Sequence, residues 1–238
     1  MVDATLGSIP AGGVAVIIGA TGGVGHALVD AAQRCGRFGV VLALSRSSNP
    51  MLNIESEGSI REAAQHAAKQ GEIRLVIDAT GILHGGGLEP EKSWRGLDAF
   101  HMAKAFAVNA IGPALLMKHF LPLLPRTGKS VFATLSAKVG SIADNRLGGW
   151  YSYRASKAAL NQLVRTAAIE LKRTHSEALC IAIHPGTTET PLSAPFSKVG
   201  LGVQAPGAAA EAIVVCLDML GSDASGGFYD RSGERLPW

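Results

Sequence analysis

The chain has 238 residues, of which 47% are hydrophobic and 17% charged, and its formal net charge is only +3. Because Lys and Arg form no run or stripe, this balance argues against nucleic acid or an anionic membrane as a partner. Three widely spaced cysteines predict buried thiols in a reducing compartment, and the first residues lack the pattern of a signal peptide. We expect a cytoplasmic protein without a membrane span, since no apolar run reaches about 18 residues, and without a metal, since the histidines lack paired ligand spacing.

The first predicted element is a strand, Val14 to Ile18, whose continuous apolar run is typical of a parallel sheet. It leads into Gly19-Ala20-Thr21-Gly22-Gly23-Val24-Gly25 and then a helical pattern, the order of a dinucleotide-binding unit. Gly19 would allow the sharp turn, Gly23 would let the backbone approach a pyrophosphate, and Gly25 would let helix and strand pack closely. The spacing differs from the common Gly-x-Gly-x-x-Gly, so the turn needs support from further motifs.

A second strand, Val40 to Leu44, ends at Ser45-Arg46-Ser47-Ser48. Sites that bind NAD usually place a carboxylate at this strand end to hold the ribose hydroxyls, and none is present here. Arg46 instead suits the 2′-phosphate of NADP, which a guanidinium can bind through two parallel hydrogen bonds. We therefore predict NADP(H), with NAD(H) less favoured; the plain alternative is a solvated strand-end arginine.

The next stretch predicts a short third strand from Met51 to Ile54, joined to the second by a bare loop. Ser59 then has the features of a helix N-cap, with Glu62 completing a capping box. The apolar run Ile73 to Ile77 predicts another buried strand. It ends at Asp78-Ala79-Thr80-Gly81, where the glycine would let the strand end pass close to a cofactor.

From Leu97 to Leu121 the apolar pattern predicts a long helix that contains Asn109. An amide among apolar residues is costly unless it is hydrogen-bonded, so Asn109 is either a satisfied core amide or a polar group facing a site. A strand from Ser130 to Ser136 and a polar loop at 138–151 follow.

Tyr153 and Lys157 are four residues apart in a helical pattern that runs to about Thr174. Positions i and i+4 lie on the same helix face, so the phenol and the ammonium can point into one site. The positive charge should favour tyrosinate and pull the pKa of Tyr153 towards neutrality. This pair predicts a general acid for a carbonyl oxygen, although Tyr-x-x-x-Lys also occurs on ordinary exposed helix turns.

The strand Ala178 to Ile183 ends at His184-Pro185-Gly186 and precedes a loop at 187–203, then a helix and a short strand. A loop of this length inside a compact domain is usually functional, often a lid. Strands and helices alternate without a linker, so we predict an α/β fold. It would be a single doubly wound, Rossmann-type parallel sheet over residues 1–238, with helices on both faces and substrate loops at 138–151 and 187–203.

Together these motifs resemble the short-chain dehydrogenase/reductase superfamily over essentially the whole chain. The stretch from Val139 to Asn161 and the tail Leu236-Pro237-Trp238 are similar to the C-factor-like and sniffer-like branch. The matching pieces are Gly19-x-x-x-Gly23-x-Gly25, Asp78-Ala79-Thr80-Gly81, Asn109, a serine-bearing strand end, Tyr153-x-x-x-Lys157 and Pro185-Gly186.

The resemblance implies a role for each matching position. Tyr153 would be the acid/base, Lys157 would lower its pKa and hold the nicotinamide ribose, and Asn109 would anchor a water in a proton relay. Thr188 and Thr190 would flank the nicotinamide and the phosphates. The implied cofactor contacts are Gly19, Thr21, Gly23, Val24, Gly25, Arg46, Asn53, Ala79, Thr80, Gly81, Tyr153, Lys157, Pro185, Gly186, Thr188 and Thr190.

Three positions depart from the family pattern. Asp78-Ala79-Thr80-Gly81 stands where Asn-Asn-Ala-Gly is usual, which leaves the sheet-stabilising hydrogen bonds open, and Asn53 stands where an adenine-contacting Asp is usual. The family's Ser-Ser-x-x-Gly would place its second serine on Ala137. Counting from the strand start selects Ser136 as the catalytic serine, which we favour; Ser141 is next, and neither is the third option.

The function implied by the resemblance is NADPH-dependent reduction of a ketone or aldehyde, or oxidation of the alcohol, by hydride transfer. The alternative is a catalytically weak, NAD(P)-binding signalling or regulatory protein of C-factor type. The resemblance also implies a homo-oligomer, a dimer or tetramer. Trp150, Leu192, Pro195 and Phe196 favour an apolar or aromatic substrate.

Overall fold

The structure is a computed structural model that describes residues 5–193 and 202–238. Its strands are β1 (Val14–Ile18), β2 (Val40–Leu44), β3 (Ile73–Asp78), β4 (Ser130–Leu135), β5 (Ala178–His184) and β6 (Phe228–Asp230). All neighbouring strands run parallel, in the order β2-β1-β3-β4-β5-β6. The predicted Rossmann-type parallel sheet is therefore confirmed.

Six α-helices lie within residues 5–193 and 202–238, the part of the chain that the structure describes. They are α1 (Gly23–Arg34), α2 (Glu57–Gln70), α3 (Ala99–Phe106), α4 (Gly112–Phe120), α5 (Tyr151–Leu171) and α6 (Pro206–Met219). A π-helical turn, Ala107–Ile111, joins α3 to α4. The predicted helix from Leu97 to Leu121 is thus one helical stretch with a change of pitch at its centre.

The sheet divides the hydrophobic core into two halves, as β1 shows. Val14, Val16 and Ile18 face the half that includes α2, α4 and α5. Ala15 and Ile17 face the half that includes α1 and α6. Successive strand residues point to opposite faces, so a strand covered on both sides must be apolar throughout. Helices therefore lie on both faces, as predicted.

The predicted third strand at Met51 to Ile54 is wrong, because this segment has no strand pairing. Its chain turns back onto the end of β2, where the Leu52 amide donates to the Ser45 carbonyl at 2.8 Å. The Leu52 side chain is buried in the core beside α2. The apolar residues that suggested a strand therefore anchor a loop.

The predicted capping box at Ser59 and Glu62 is also wrong. Helix α2 begins one turn earlier, with Ser56 as its N-cap, and the Ser56 hydroxyl accepts from the Ser59 amide at 3.4 Å. The Ser59 hydroxyl instead accepts from the Asn53 amide at 2.7 Å and donates to the Met51 carbonyl at 3.0 Å. Ser59 therefore closes the loop before the helix.

One described helical stretch, Ala99–Leu123, is long and apolar enough to cross a membrane, with a mean hydropathy of 1.3. The expectation that no stretch of that kind exists is therefore wrong by this measure. Half of its most apolar segment is buried, and Leu116 and Phe120 are fully buried in the core. Its apolar character is that of a core helix.

Candidate active site

The carboxyl edge of the sheet brings the predicted motifs together. Gly19 follows β1, Gly81 lies just after β3, Ser136 follows β4, and Gly186 lies just after β5. The chain passes from β1 outward to β2 and then returns to the other side of β1 for β3. Ligands of such sheets bind at this switch point, outside the carboxyl ends of the strands.

A glycine turn connects β1 to α1 at this edge. Gly19 has a φ of +81°, a left-handed conformation that favours glycine. A Cβ on Gly25 would lie 2.1 Å from the Gly19 carbonyl oxygen, and one on Gly23 would lie 2.9 Å from Thr190 Cγ2. The turn and close packing predicted for Gly19 and Gly25 are therefore present. Gly22 at the N-cap has no side chain to cover the first amides of α1, which suits an anion.

Arg46 lies exposed at the end of β2. Its serine neighbours stabilise the turn: the Ser45 and Ser47 hydroxyls are 3.1 Å apart, and the Ser48 hydroxyl donates to the Pro50 carbonyl at 2.7 Å. The Asn53 amide oxygen accepts from the amide of Glu55 at 3.1 Å, so it closes a local turn. The exposed guanidinium fits a phosphate group at this strand end.

Asp78 stands where the family usually has Asn, and it still makes the hydrogen bonds that stabilise this end of the sheet. Its carboxylate is fully buried and accepts from the Thr80 amide at 3.0 Å, the Thr80 hydroxyl at 2.6 Å and the Thr134 hydroxyl at 2.8 Å. The last bond links the ends of β3 and β4. Burial raises the pKa of Asp78, and the bonds from Thr80 and Thr134 oppose that rise.

Tyr153 and Lys157 lie close together near the start of α5, with Lys157 buried and Tyr153 half-buried. Lys157 Nζ lies 6.0 Å from the centre of the Tyr153 ring and donates to the Leu135 carbonyl at 2.7 Å. Burial raises the pKa of Tyr153 to about 12. Burial also lowers the pKa of Lys157 to about 8, although Asp78 opposes this. The predicted fall in the pKa of Tyr153 is therefore wrong for this arrangement, because loss of solvation raises this pKa.

Asn109 lies in the π-helical turn and is fully buried. Its amide nitrogen donates to the Ile82 carbonyl at 2.9 Å and to Ser156 Oγ at 3.1 Å, and its oxygen accepts from the Ile82 amide at 2.8 Å. A Cβ on Gly81 would lie 3.5 Å from Asn109 Oδ1 and 3.7 Å from Lys157 Nζ. Asn109 is thus a satisfied core amide that also borders the site; its water relay stays a prediction.

The segment after β5 brings Thr190 to the glycine turn between β1 and α1. Thr190 contacts the Gly23 region described above, whereas Thr188 is buried and its hydroxyl donates to the Gly186 carbonyl at 3.3 Å. Gln204 Nε2 donates to the Pro185 carbonyl at 2.6 Å, a contact that the motifs did not indicate. The predicted pocket residues Pro195 and Phe196 lie outside the described residues.

Comparison with known proteins places the chain in a family. A family model described as enoyl-(acyl carrier protein) reductase matches residues 20–209. The short-chain dehydrogenase srdF of Neurospora crassa is 33% identical over 196 residues, which cover 79% of this chain and 76% of that protein. The chain belongs to the short-chain dehydrogenase/reductase family. The oxidoreductase class predicted from the motifs is thereby confirmed.

Within this family, the C-signal of Myxococcus xanthus is 33% identical over 142 residues, covering 60% of this chain and 81% of that protein. The NADPH-bound carbonyl reductase from chicken fatty liver has a TM-score of 0.83 at 22% identity, covering 97% and 100% of the two chains. Carbonyl reductase Sniffer of D. melanogaster has a TM-score of 0.75 at 19% identity, covering 96% and 100%. At these identities the two structures show a shared fold.

Both candidates for the catalytic serine, Ser136 and Ser141, have hydrogen-bond partners within the protein. Ser136 is buried and its hydroxyl donates to Asn161 Oδ1 at 2.7 Å, so its proton is already engaged. Ser141 is also buried, but its hydroxyl accepts from the Asp144 amide at 3.1 Å. A catalytic role for Ser136 would require its hydroxyl to leave Asn161. The choice between the two serines stays a prediction.

Two residues outside the family motifs also contact the site. The Trp150 ring meets the Tyr153 ring edge-on, with 6.2 Å between their centres. Glu91 is buried, and its carboxylate accepts from the amide and hydroxyl of Ser152. Nothing in the sequence pattern marks Glu91, because a glutamate in a polar loop is usually solvated.

Proposed function

We propose that this protein is an NADP(H)-dependent oxidoreductase that reduces a ketone or aldehyde. The observation that carries the proposal is the half-buried Tyr153 phenol beside the buried Lys157, at the carboxyl edge of the sheet and next to Gly81. This is the edge at which a doubly wound fold binds a dinucleotide. Family membership and the likeness to a carbonyl reductase described as NADPH-bound support the same function.

The residues at this edge fit the cofactor in three places. The glycine turn at 19–25 and the open amides of α1 would hold the pyrophosphate. Arg46 would bind the 2′-phosphate, and Lys157 would hold the nicotinamide ribose. When bound, the reduced nicotinamide supplies the hydride.

Tyr153 would act on the substrate oxygen. With its pKa raised to about 12, the phenol keeps its proton at neutral pH and can donate it to the carbonyl oxygen during reduction. In alcohol oxidation the same group would have to lose that proton first.

The substrate that we propose is apolar or aromatic. The Trp150 ring beside Tyr153 would provide a flat apolar wall next to the reacting carbonyl. Loop 138–150 is tied to α5 by Arg154, whose side chain donates to the Gly149 and Val139 carbonyls at 3.0 Å each. These bonds support a fixed pocket wall on this side of the site.

We also propose a homo-oligomer formed through α4 and α5. A groove of about 480 Å³ lies between them and is lined by Ala114, Met117, Lys118, Leu121, Pro122, Leu163, Thr166, Ala167, Glu170, Leu171, Thr174 and His175. Most of these side chains are apolar, so a second copy would bury surface that now faces solvent.

A cytoplasmic location is supported by three free cysteines, Cys35, Cys180 and Cys216.

A carbonyl screen tests the proposed function. We expect the wild type to oxidise NADPH in the presence of 4-nitrobenzaldehyde or 9,10-phenanthrenequinone, followed as loss of nicotinamide absorbance, and to prefer NADPH to NADH by at least about tenfold. Tight NADPH binding without turnover across a broad panel of ketones and aldehydes would instead support the signalling alternative.

A further inference from the structure

The catalytic helix α5 starts in an unusual way. Its N-cap residue, Trp150, has a left-handed backbone, with φ 52° and ψ 42°, and provides no side-chain cap. A bulky residue in this region is strained, and it persists only where surrounding contacts hold it. The first amides of a helix have no partner inside the helix. The start of α5 therefore depends on contacts from elsewhere in the chain.

Glu91 provides these contacts. Its carboxylate accepts from the Ser152 amide at 3.1 Å and from the Ser152 hydroxyl, and its own carbonyl accepts from the Trp150 amide at 2.5 Å. The residue is only 6% exposed. A buried carboxylate is costly unless it is hydrogen-bonded, and a negative charge is favoured at a helix N-terminus. Helix and carboxylate therefore stabilise each other.

These bonds act on Tyr153 from its N-terminal side. On the other side, the Ser156 hydroxyl donates to the Tyr153 carbonyl at 2.9 Å and accepts from Asn109 at 3.1 Å. The backbone of Tyr153 is thus held between two buried anchors, Asn109 and Glu91. Glu91 is not part of any motif used to assign the function.

A small cavity makes the position of Tyr153 sensitive to this anchor. Its volume is about 20 Å³, and Glu91, Ser152, Tyr153 and His101 are among the residues that line it. If the Glu91 side chain were shortened, the cavity would grow on the side of the phenol. Misplacing a reacting group by about 1 Å can cost about 100-fold in rate.

We propose that Glu91 is a positioning residue for Tyr153, holding the first turn of α5 so that the phenol meets the substrate oxygen. This rests on the proposed function, because it assigns Tyr153 the proton transfer. Glu91 itself does not touch the substrate. A glutamine at this position would keep an oxygen that can accept from Ser152, whereas an alanine would not.

The kinetic test compares Glu91→Ala, Glu91→Gln and a matched control, Glu62→Ala. Glu62 is an exposed glutamate on α2 that does not line this cavity. With NADPH and 4-nitrobenzaldehyde, we expect kcat to fall about 10- to 100-fold in Glu91→Ala, with the Kd for NADPH changed less than about twofold. Glu91→Gln should recover most of kcat, and Glu62→Ala should match the wild type. Equal kcat in Glu91→Ala and wild type would overturn the inference.

Hydrogen exchange tests the same inference without turnover. Because the Ser152 amide donates to the Glu91 carboxylate, we expect this amide to exchange at least about tenfold faster in Glu91→Ala than in wild type or Glu62→Ala. An unchanged exchange rate of the Ser152 amide in Glu91→Ala would overturn the positioning role of Glu91. A wild-type enzyme that reduces no carbonyl compound would instead count against the proposed function. If Glu91→Ala does not fold, Ser152→Ala removes only the hydroxyl donor and should lower kcat about three- to tenfold.

Discussion

At the residue scale, burial shifts the pKa values of the proposed catalytic pair in opposite directions. Lys157 has a pKa lowered to about 8, and Tyr153 has a pKa raised to about 12. At neutral pH the ammonium is charged and the phenol is protonated. As pH rises, Lys157 therefore loses its charge well before Tyr153 loses its proton.

This order predicts the pH dependence of reduction. We expect kcat to be steady below the pKa of Lys157 and to fall as pH rises through about 8, because the neutral amine no longer orients the site. The measurement is kcat with NADPH and 4-nitrobenzaldehyde from pH 6 to pH 10. The Lys157→Met variant should have a low kcat at every pH and should not show the fall near pH 8. A wild-type kcat that rises through this range would contradict the assignment.

Arg46 predicts the choice of cofactor. Removing a guanidinium that binds the 2′-phosphate should raise KM for NADPH about 10- to 100-fold and leave KM for NADH unchanged. The comparison is between Arg46→Ala and Arg61→Ala, which removes another exposed arginine, on α2. An equal loss for both cofactors in Arg46→Ala would show that Arg46 does not read this phosphate.

Single residues were predictable from the sequence only where local spacing decides their place. The four-residue spacing correctly places Tyr153 and Lys157 in one region. The direction of the Tyr153 pKa shift was not predictable, because it depends on burial beneath elements that are distant in the chain. The same holds for Glu91, whose partner Ser152 is 61 positions away.

At the element scale, the glycine turn between β1 and α1 has little room. In Gly25→Ala the new methyl would lie 2.1 Å from a backbone oxygen of Gly19, which cannot move without opening the turn. We expect a loss of about 1–3 kcal/mol in the free energy of unfolding, together with weaker NADPH binding. Thermal denaturation and a fluorescence titration with NADPH measure the two effects.

Gly58→Ala is the matched control. Gly58 lies in α2, and a Cβ there would meet nothing within 4 Å. Alanine is the better helix former, so this change should stabilise the protein by about 0.5–1 kcal/mol. Equal stability changes in Gly25→Ala and Gly58→Ala would contradict the account of the turn.

Apolar patterns predicted the elements better than they predicted the joints between them. The runs that form β1, β3, β4 and β5 were recognisable because a strand buried on both faces must be apolar throughout. The segment Met51 to Ile54 has a similar composition but only anchors a loop. The π-helical turn at Asn109 leaves no mark in the periodicity, because its change of pitch spans a single turn.

At the scale of the whole molecule, the groove between α4 and α5 predicts self-association. Ile111 is 55% exposed and lies one helical turn before Ala114, which lines the groove. Ile111→Glu should place a charge in the buried interface and shift the protein to monomers. Met219→Glu, at a 63% exposed position on α6, is the control and should leave the assembly unchanged. Light scattering after size-exclusion chromatography measures the molar mass of the wild type and of both variants. A wild-type protein that is monomeric would contradict the proposed interface.

The overall architecture was the most predictable level. Alternating apolar runs and helical patterns can bury their surfaces only as a sheet with helices on both faces, which is the fold observed. The site was predictable as a location, because parallel strands bring their carboxyl ends to one edge. The choice between Ser136 and Ser141 as the proposed catalytic serine was not predictable, because it depends on the partners that the tertiary fold gives each hydroxyl.

The most direct test of the account is the kcat of Tyr153→Phe with NADPH and a carbonyl substrate. The account predicts a fall of about 100-fold or more, with NADPH binding changed less than about twofold, because only the proton donor is lost. Tyr229→Phe removes the hydroxyl of a tyrosine on β6 that donates to the Ala224 carbonyl, and it should keep near wild-type kcat. A Tyr153→Phe enzyme as fast as the wild type would contradict the account.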